Sequence, residues 1–326
     1  MKALRAAVVG TGHLGRHHAR ILAELEGVEL VAIAEPDESR GRELAAKYGC
    51  RWQPDRAGLA QQVDFAVIAV PTLRHLECAG DFLRAGVACL VEKPLAADPE
   101  GCAAILADAE AGGALLGTGH VERFNPAVRR AMELGIRPRF IEAHRLAPYT
   151  FRSTDVGVIL DLMIHDLDLV LAWTGEEVES IDAVGGTVLS EAEDICSARL
   201  RFPSGAVANL TASRLSLKPM RRFRVFGPDC YVSADSQERY ALLVRKAAAF
   251  SPEAVRAAAA SPQPLEGFKS LLHTEELVLD DDEPLRAELQ AFAAAVRSGG
   301  PAPVTGQDGA RAVTLAHRIR AAMTTW

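Results

Sequence analysis

Ala7-Val8-Val9-Gly10-Thr11-Gly12-His13-Leu14-Gly15-Arg16-His17-His18-Ala19-Arg20 decides the fold. A short apolar run, Leu4–Val9, meets three glycines in the spacing GxGxxG. A stretch with Leu14, Ile21, Leu22 and Leu25 on one side of a helix follows. In the order strand, turn, helix, each glycine has a task. The first permits the tight turn, the second lets backbone amides approach a pyrophosphate, and the third lets helix and strand pack closely. The helix start adds unpaired N–H groups and the positive end of a dipole. Glu35 closes a second apolar run, Val28–Ala34. A carboxylate there bonds the adenosine ribose hydroxyls of NAD and repels a 2′-phosphate. The expected cofactor is therefore NAD, held by Gly10, Thr11, Gly12, His13, Leu14, Gly15 and Glu35. Arg40 and Arg42 lie near enough in sequence to leave NADP as the alternative.

The alternation continues outward. A helix is expected around Ser39–Tyr48, with Gly49 able to end it in the left-handed conformation. Asp64–Val70 is a continuous apolar strand, as a sheet covered on both faces requires. Thr72 can cap a helix running to about Ala85. Val87–Val91 is a further strand, Asp98-Pro99-Glu100 opens a helix over Cys102–Ala111, and Ala114–Gly119 closes the series. Strands alternating with helices specify a doubly wound parallel sheet, so residues 1–120 are read as a Rossmann domain.

After His120 the pattern changes. Phe140–Leu146 reads as a strand and Thr154–Thr174 as a long helix stopped by Gly175. Val178–Leu189, Asp194–Phe202, Ala206–Ser213, Arg222–Phe226, Cys230–Ala234 and Tyr240–Val244 then follow as strands without helices between them. Pro203-Ser204-Gly205 turns between two of these strands. Ala247–Gly267 reads as a loop with one short helix, and helices near Pro284–Arg297 and Asp308–Met323 finish the chain. Residues 121–326 are thus expected to form an α+β domain on an open, mainly antiparallel sheet, carrying the substrate site.

Two places carry chemistry. Glu92-Lys93-Pro94 ends the Val87–Val91 strand, at the sheet edge where such folds bind ligands. A lysine there can stabilise negative charge on a substrate oxygen or share a proton with it; a surface lysine before a turn proline is the plain alternative. Asp161 and His165, four apart in an otherwise apolar helix, project from one face. An imidazole beside a carboxylate suits a general base near neutral pH, and hydride removal from a carbinol needs one. The plain alternative is a core histidine with solvated Asp166 and Asp168.

The chain has 326 residues, a formal net charge of −7 and 49% hydrophobic residues. An acidic protein of this kind does not attract nucleic acid or an anionic membrane, although a local arginine cluster could still bind an anion. The N-terminal apolar run is too short for a signal peptide and no stretch is long enough to span a membrane. The six cysteines form no CxxC pair, so reduced thiols and a cytoplasmic setting are expected. Ligand spacing for zinc is lacking, and no metal is expected.

The nucleotide turn Gly10–Gly15, Ala34-Glu35-Pro36-Asp37, Val70-Pro71-Thr72 with His75, Glu92-Lys93-Pro94, and Asp161 before His165 fall in one order. In that order the chain resembles the glucose–fructose oxidoreductase / inositol 2-dehydrogenase / MocA family over nearly its whole length. The resemblance implies a Rossmann domain followed by an open α/β domain. It implies NAD contacts from Pro71, Thr72, His75, Glu92 and Lys93 as well, and catalysis at a sugar hydroxyl by Lys93, Asp161 and His165. Gly119–Val128, with Arg123 and Asn125, and His144–Asp155, with Arg145, Tyr149 and Arg152, resemble the branch that oxidises C3 of UDP-N-acetylglucosamine for lipid A precursors. That branch implies a nucleotide-sugar substrate. Arg123, Arg145 and Arg152, with Arg221 and Arg222, would then form a cationic pocket for its diphosphate, and Tyr149 could stack on the base. A free polyol, inositol or simple sugar is the rival substrate, and a non-catalytic NAD-sensing protein the rival from another class. A homo-oligomer is expected.

Overall fold

The computed structural model describes residues 2–150 and 156–326, in two compact units. One gathers the chain up to Phe124 together with Asp282–His317. The other holds Asn125–Asp281 and Arg318–Trp326.

The first unit opens with β1 (Leu4–Val9), α1 (Gly15–Glu24), β2 (Val28–Ala34), α2 (Glu38–Tyr48), β3 (Arg51–Gln53) and β4 (Phe65–Ile68). A 3₁₀ turn at Thr72–Arg74 leads into α3 (His75–Arg84), followed by β5 (Ala88–Glu92), α4 (Pro99–Gly112) and β6 (Leu116–Gly119). The strands form one parallel sheet in the order β3-β2-β1-β4-β5-β6. Sequence grammar accounts for most of these elements. Asp37 caps α2 by accepting from the Arg40 N–H, and Gly49 ends it at φ 68°. Asp98 caps α4 through the Gly101 N–H, with Pro99 in the first turn and Gly113 at φ 61° beyond the end. All four β4 residues are buried, as a strand covered on both faces must be.

The second unit starts with α5 (Pro126–Glu133) and β7 (Phe140–Leu146). A π-helical turn over Ile159–Met163 runs directly into α6 (Ile164–Thr174). β8 (Ser180–Gly186), β9 (Ile195–Arg201), β10 (Val207–Ser213), β11 (Met220–Phe226), β12 (Cys230–Asp235) and β13 (Tyr240–Lys246) follow. Then come α7 (Pro252–Ala259), α8 (Pro264–Lys269) and β14 (Leu272–Glu276). The chain closes with α9 (Pro284–Ser298), α10 (Gly306–Ala322) and β15 (Met323–Thr325). The second sheet has nine strands in the order β14-β13-β12-β11-β7-β10-β9-β8-β15. It is antiparallel except where β10 pairs with β7 and β15 with β8. Burial alternates along β7 and β9, so one face is packed and the other open. The open face is polar, with Glu142, His144, Arg199, Asn209 and Thr211 on it.

Three expectations need correcting. The second domain is not continuous from 121 to 326, because residues 282–317 return to the first unit. The reason is packing: Leu289, Phe292 and Ala293 of α9 are buried with Val8, Ile21, Leu22, Phe65 and Leu90 in one core, and Phe292 meets Phe65 edge-on at 5.9 Å. Removing a buried aromatic of this kind costs about 3–5 kcal/mol, so α9 is integral to that core. The loop expected over Ala247–Gly267 holds two helices, α7 and α8, and no buried residue anchors either of them. The long helix expected from Thr154 is π-helical over Ile159–Met163 and α-helical only from Ile164; Thr154 itself lies outside the described residues. Among the described residues no helix is long and apolar enough to cross a membrane.

Candidate functional site

The glycine turn is built as its spacing demands. Gly10 sits at φ 86°, a region that L side chains avoid, and a Cβ there would lie 2.7 Å from the Ala69 carbonyl oxygen. At Gly15 a Cβ would come within 2.0 Å of the Gly10 carbonyl oxygen. Both glycines are required by the protein's own packing. Gly12 differs: a Cβ there meets nothing within 4 Å. The space beside it is therefore available to a ligand. The start of α1 points the same way. Helices α2, α4 and α5 are capped by Asp37, Asp98 and Asn125, and α2 and α4 carry an acid in the first turn. The α1 N-terminus has no side-chain cap and no first-turn acid. Uncapped N–H groups of this kind suit an anion, so the residues present fit a dinucleotide pyrophosphate. His13 lies on this surface, its Nδ1 3.3 Å from Arg16 NH2, and Leu14 is 39% exposed.

Glu35 is more committed than expected. Its Oε2 accepts from the Thr11 N–H at 2.8 Å and the Thr11 hydroxyl at 2.7 Å. Its Oε1 accepts from the Asp37 N–H at 3.0 Å and from Arg40 at 2.6 Å. Four donors fill both carboxylate oxygens, and the residue is only 3% exposed. Burial pushes its carboxyl up, but the bonds from Arg40, Asp37 and Thr11 hold it down at about 2. Glu35 thus ties the glycine turn to the start of α2. A ribose hydroxyl reaches it only by displacing one of these donors, and Arg40, with a side chain 47% exposed, is the one at the surface.

Lys93 is half-buried at the end of β5, between buried Glu92 and Pro94, and the Lys93–Pro94 peptide is cis. Glu92 Oε1 lies 2.6 Å from His18 Nε2, whose ring is fully buried. Burial raises the Glu92 carboxyl, yet His18, Lys93 and His75 hold it below its usual range. This His18–Glu92 pair joins α1 to the strand that carries Lys93. Sequence reasoning missed His18; two adjacent histidines early in the nucleotide helix were the available signal. His75 is 1% exposed, with Nδ1 3.0 Å from the Pro94 carbonyl and Nε2 3.0 Å from that of Val70. Burial lowers its pKa despite these acceptors. It braces the turn after Lys93 from the protein side. Pro71 is exposed and Thr72 half-buried at the adjoining 3₁₀ turn.

Asp161 lies in the π-helical turn and His165 in the first turn of α6. A π turn holds one more residue than an α turn, so Asp161 is rotated from the position that an α-helix would give it. Both residues are half-buried, while Ile159, Met163, Ile164 and residues 166–171 are buried. Asp166 and Asp168, read as solvated in the plain alternative, are 5% and 1% exposed.

The arginines expected to form a pocket differ in their surroundings. Arg145 reaches inward from β7 to Asp166, with Nε 3.0 Å from Oδ2 and NH2 2.9 Å from Oδ1, and both side chains are 6% exposed. The guanidinium is thus engaged by Asp166 inside the second unit. Asn125 is likewise spent on the fold: its Oδ1 caps α5 through the Ala127 N–H and its Nδ2 donates to the Ser236 carbonyl. Arg123 lies in the first unit, 3.5 Å from Asp308. Arg221 and Arg222 are exposed on β11, with Arg222 3.8 Å from Asp235. Tyr149 is half-buried just after β7. Arg152 lies outside the described residues.

Comparison with known proteins defines the class. Residues 4–120 match the oxidoreductase family with an NAD-binding Rossmann fold, and residues 106–232 match the GFO/IDH/MocA C-terminal domain. The chain is 35% identical to the UDP-N-acetylglucosamine 3-dehydrogenase of Acidithiobacillus ferrooxidans, over 98% of this chain and 97% of that one. It is 27% identical to the inositol 2-dehydrogenase of Rhizobium meliloti, over 96% and 94%. A solved structure of the Acidithiobacillus ferrooxidans UDP-N-acetylglucosamine 3-dehydrogenase superposes with a TM-score of 0.87, covering 99% of this chain and 98% of that one at 34% identity. The chain belongs to the GFO/IDH/MocA oxidoreductase family. It is an NAD(P)-dependent oxidoreductase, and its relatives include dehydrogenases of UDP-N-acetylglucosamine and of inositol.

Proposed function

We propose that this oxidoreductase converts a ring hydroxyl of a nucleotide sugar to a ketone, at C3 of UDP-N-acetylglucosamine, with NAD as cofactor. The observation that carries the reading is the 35% identity to a UDP-N-acetylglucosamine 3-dehydrogenase across nearly the full length of both chains. Bound NAD supplies the hydride acceptor. The first unit holds it, with its pyrophosphate beside Gly12 and the open start of α1. The choice of NAD over NADP rests on Glu35, ionised and buried at the end of β2, where a 2′-phosphate would meet like charge.

Both units supply substrate groups, Asp161 and His165 from the second and Lys93 from the first. His165 takes the hydroxyl proton as the carbonyl forms, Asp161 orients its ring, and Lys93 steadies negative charge on the same oxygen. These roles are supported by the residue types, by their order along the chain, and by the partial exposure of both side chains in a largely apolar segment. The 3-keto sugar would then serve transamination in lipid A precursor synthesis.

A second reading is oxidation of an unphosphorylated polyol. The inositol dehydrogenases among the relatives favour it, as does the commitment of Arg145 to Asp166. NADH formation, measured side by side with UDP-N-acetylglucosamine, N-acetylglucosamine, inositol and glucose, decides between them. Activity confined to an unphosphorylated polyol refutes the nucleotide-sugar reading. Lys93→Ala and His165→Ala should each lower kcat by roughly 10²–10⁴-fold while dinucleotide binding stays near normal. Wild-type turnover in either variant removes that residue's role.

A further inference from the structure

The turn between β8 and β9 grips the chain just ahead of Asp161. Asp194 is fully buried; its Oδ2 accepts from the N–H groups of Val188, Leu189 and Ser190 at 2.7, 2.6 and 3.0 Å. Its Oδ1 accepts from the Ser190 hydroxyl at 2.7 Å and lies 3.8 Å from Arg214 Nε. The Arg214 N–H donates to the Asp194 carbonyl at 3.0 Å, and its guanidinium donates to the Val156 carbonyl. On this rigid base stands Glu193. Its backbone carbonyl accepts from the Val158 N–H at 3.0 Å, and its Oε1 accepts from the Ile159 N–H at 3.2 Å. These are first-turn donors that a helix cannot satisfy internally. Gly157 makes the approach possible, because a Cβ there would lie 1.9 Å from Glu193 Oε1. The Gly157 carbonyl in turn accepts the Asp161 N–H at 3.0 Å.

We infer that Glu193 is a positioning residue for Asp161: its side chain caps the π-helical turn through Ile159, with Gly157 leaving room for it, and so sets where the Asp161 carboxylate stands. Nothing in the established activity assigns a task to Glu193, Gly157 or Arg214. The inference rests on the proposed role of the Asp161–His165 pair, since positioning matters to turnover only if those residues act on substrate. Asp194 and Arg214 hold the platform, and Glu193 transmits its geometry. Displacing a reacting group by about 1 Å can lower a rate roughly 10²-fold, so a contact of this kind can control turnover without touching substrate.

The test separates reach from charge in the full-length enzyme. Glu193→Gln keeps an oxygen at the same reach, whereas Glu193→Asp keeps the charge and withdraws it by one methylene. The inference expects Glu193→Asp and Glu193→Ala to lose roughly 10–100-fold in kcat, with the NAD dissociation constant unchanged and Glu193→Gln close to wild type. Hydrogen exchange at the Ile159 and Asp161 amides should quicken in the two deficient variants and not in Glu193→Gln. Wild-type kcat and wild-type exchange in Glu193→Asp overturn the inference, as does a Glu193→Gln variant as impaired as Glu193→Ala. His165→Ala, run in the same panel, keeps the two ideas apart. If it retains full turnover, the assignment of the base fails, while amide exchange still decides whether Glu193 holds Asp161.

Discussion

Replacing Arg145 with alanine tests whether that arginine serves the fold or the substrate. The guanidinium meets Asp166 through two bonds of 3.0 and 2.9 Å, and both side chains are 6% exposed. A pair this dry and this well aligned loses several kcal/mol when one partner goes, because the remaining charge stays buried without its counterpart. The expected loss is about 3–5 kcal/mol. In a unit of this size each kcal/mol moves the melting midpoint by about 2–4 °C, so Arg145→Ala should melt about 6–20 °C below wild type. Thermal and urea denaturation followed by circular dichroism would measure it. A second variant isolates the cause. Arg145→Met with Asp166→Leu removes both charges at similar volume, and an exchange of that kind is often neutral, so most of the lost stability should return. At a temperature where Arg145→Ala remains folded, its KM for the nucleotide sugar should match that of wild type. A variant that melts within about 2 °C of wild type but has a KM raised tenfold would refute the reasoning. It would return Arg145 to the diphosphate pocket.

Gly12→Ala should leave the melting midpoint unchanged, since its Cβ meets no protein atom, yet weaken NAD binding in a fluorescence titration; Gly15→Ala, whose Cβ would strike the Gly10 carbonyl, should destabilise the first unit. Equal stability losses in the two would remove the argument that Gly12 faces a ligand. Asp194 and Glu35 both have carboxyls held at about 2 against ordinary values of 3.8 and 4.5. A depressed native pKa contributes stability above the ordinary value and loses it as pH falls toward the native one. Wild-type melting midpoints should therefore drop between about pH 4.5 and 2, and Asp194→Asn should flatten that drop; a variant with an unchanged pH profile would exclude the linkage. Glu35→Gln should narrow the preference for NAD over NADP in direct binding, and Arg40→Ala should widen it; selectivity unmoved by both changes would show that cofactor choice lies elsewhere.

Local signals carried the first unit well. A strand, three glycines and a helix define the nucleotide turn within a dozen residues, and Asp37 and Asp98 announce helix starts through bonds that reach only three positions ahead. Edge strands of three to five residues, β3, β14 and β15, carry too little pattern to be seen. The return of α9 was hidden for another reason: its apolar face would suit either unit, and only the match with Phe65 and its neighbours selects one.

The site divides along the same line. Lys93, Asp161 and His165 could be nominated from sequence because their types and order are themselves chemical statements. Glu35 reads as a ribose ligand from its place after the second strand, and Asn125 and Arg145 as substrate ligands through the family resemblance; neither signal says whether the side chain also has a partner within the chain. In each case the fold provides one: Thr11 and Arg40 for Glu35, the Ala127 N–H for Asn125, Asp166 for Arg145. The π-helical turn lies further still from sequence pattern, because Val158–Met163 contains no proline, glycine or cap to announce it. Its start is capped by Glu193, more than thirty positions away, a contact that no local signal encodes. An acidic residue outside every motif therefore shapes the turn that carries a proposed catalytic group.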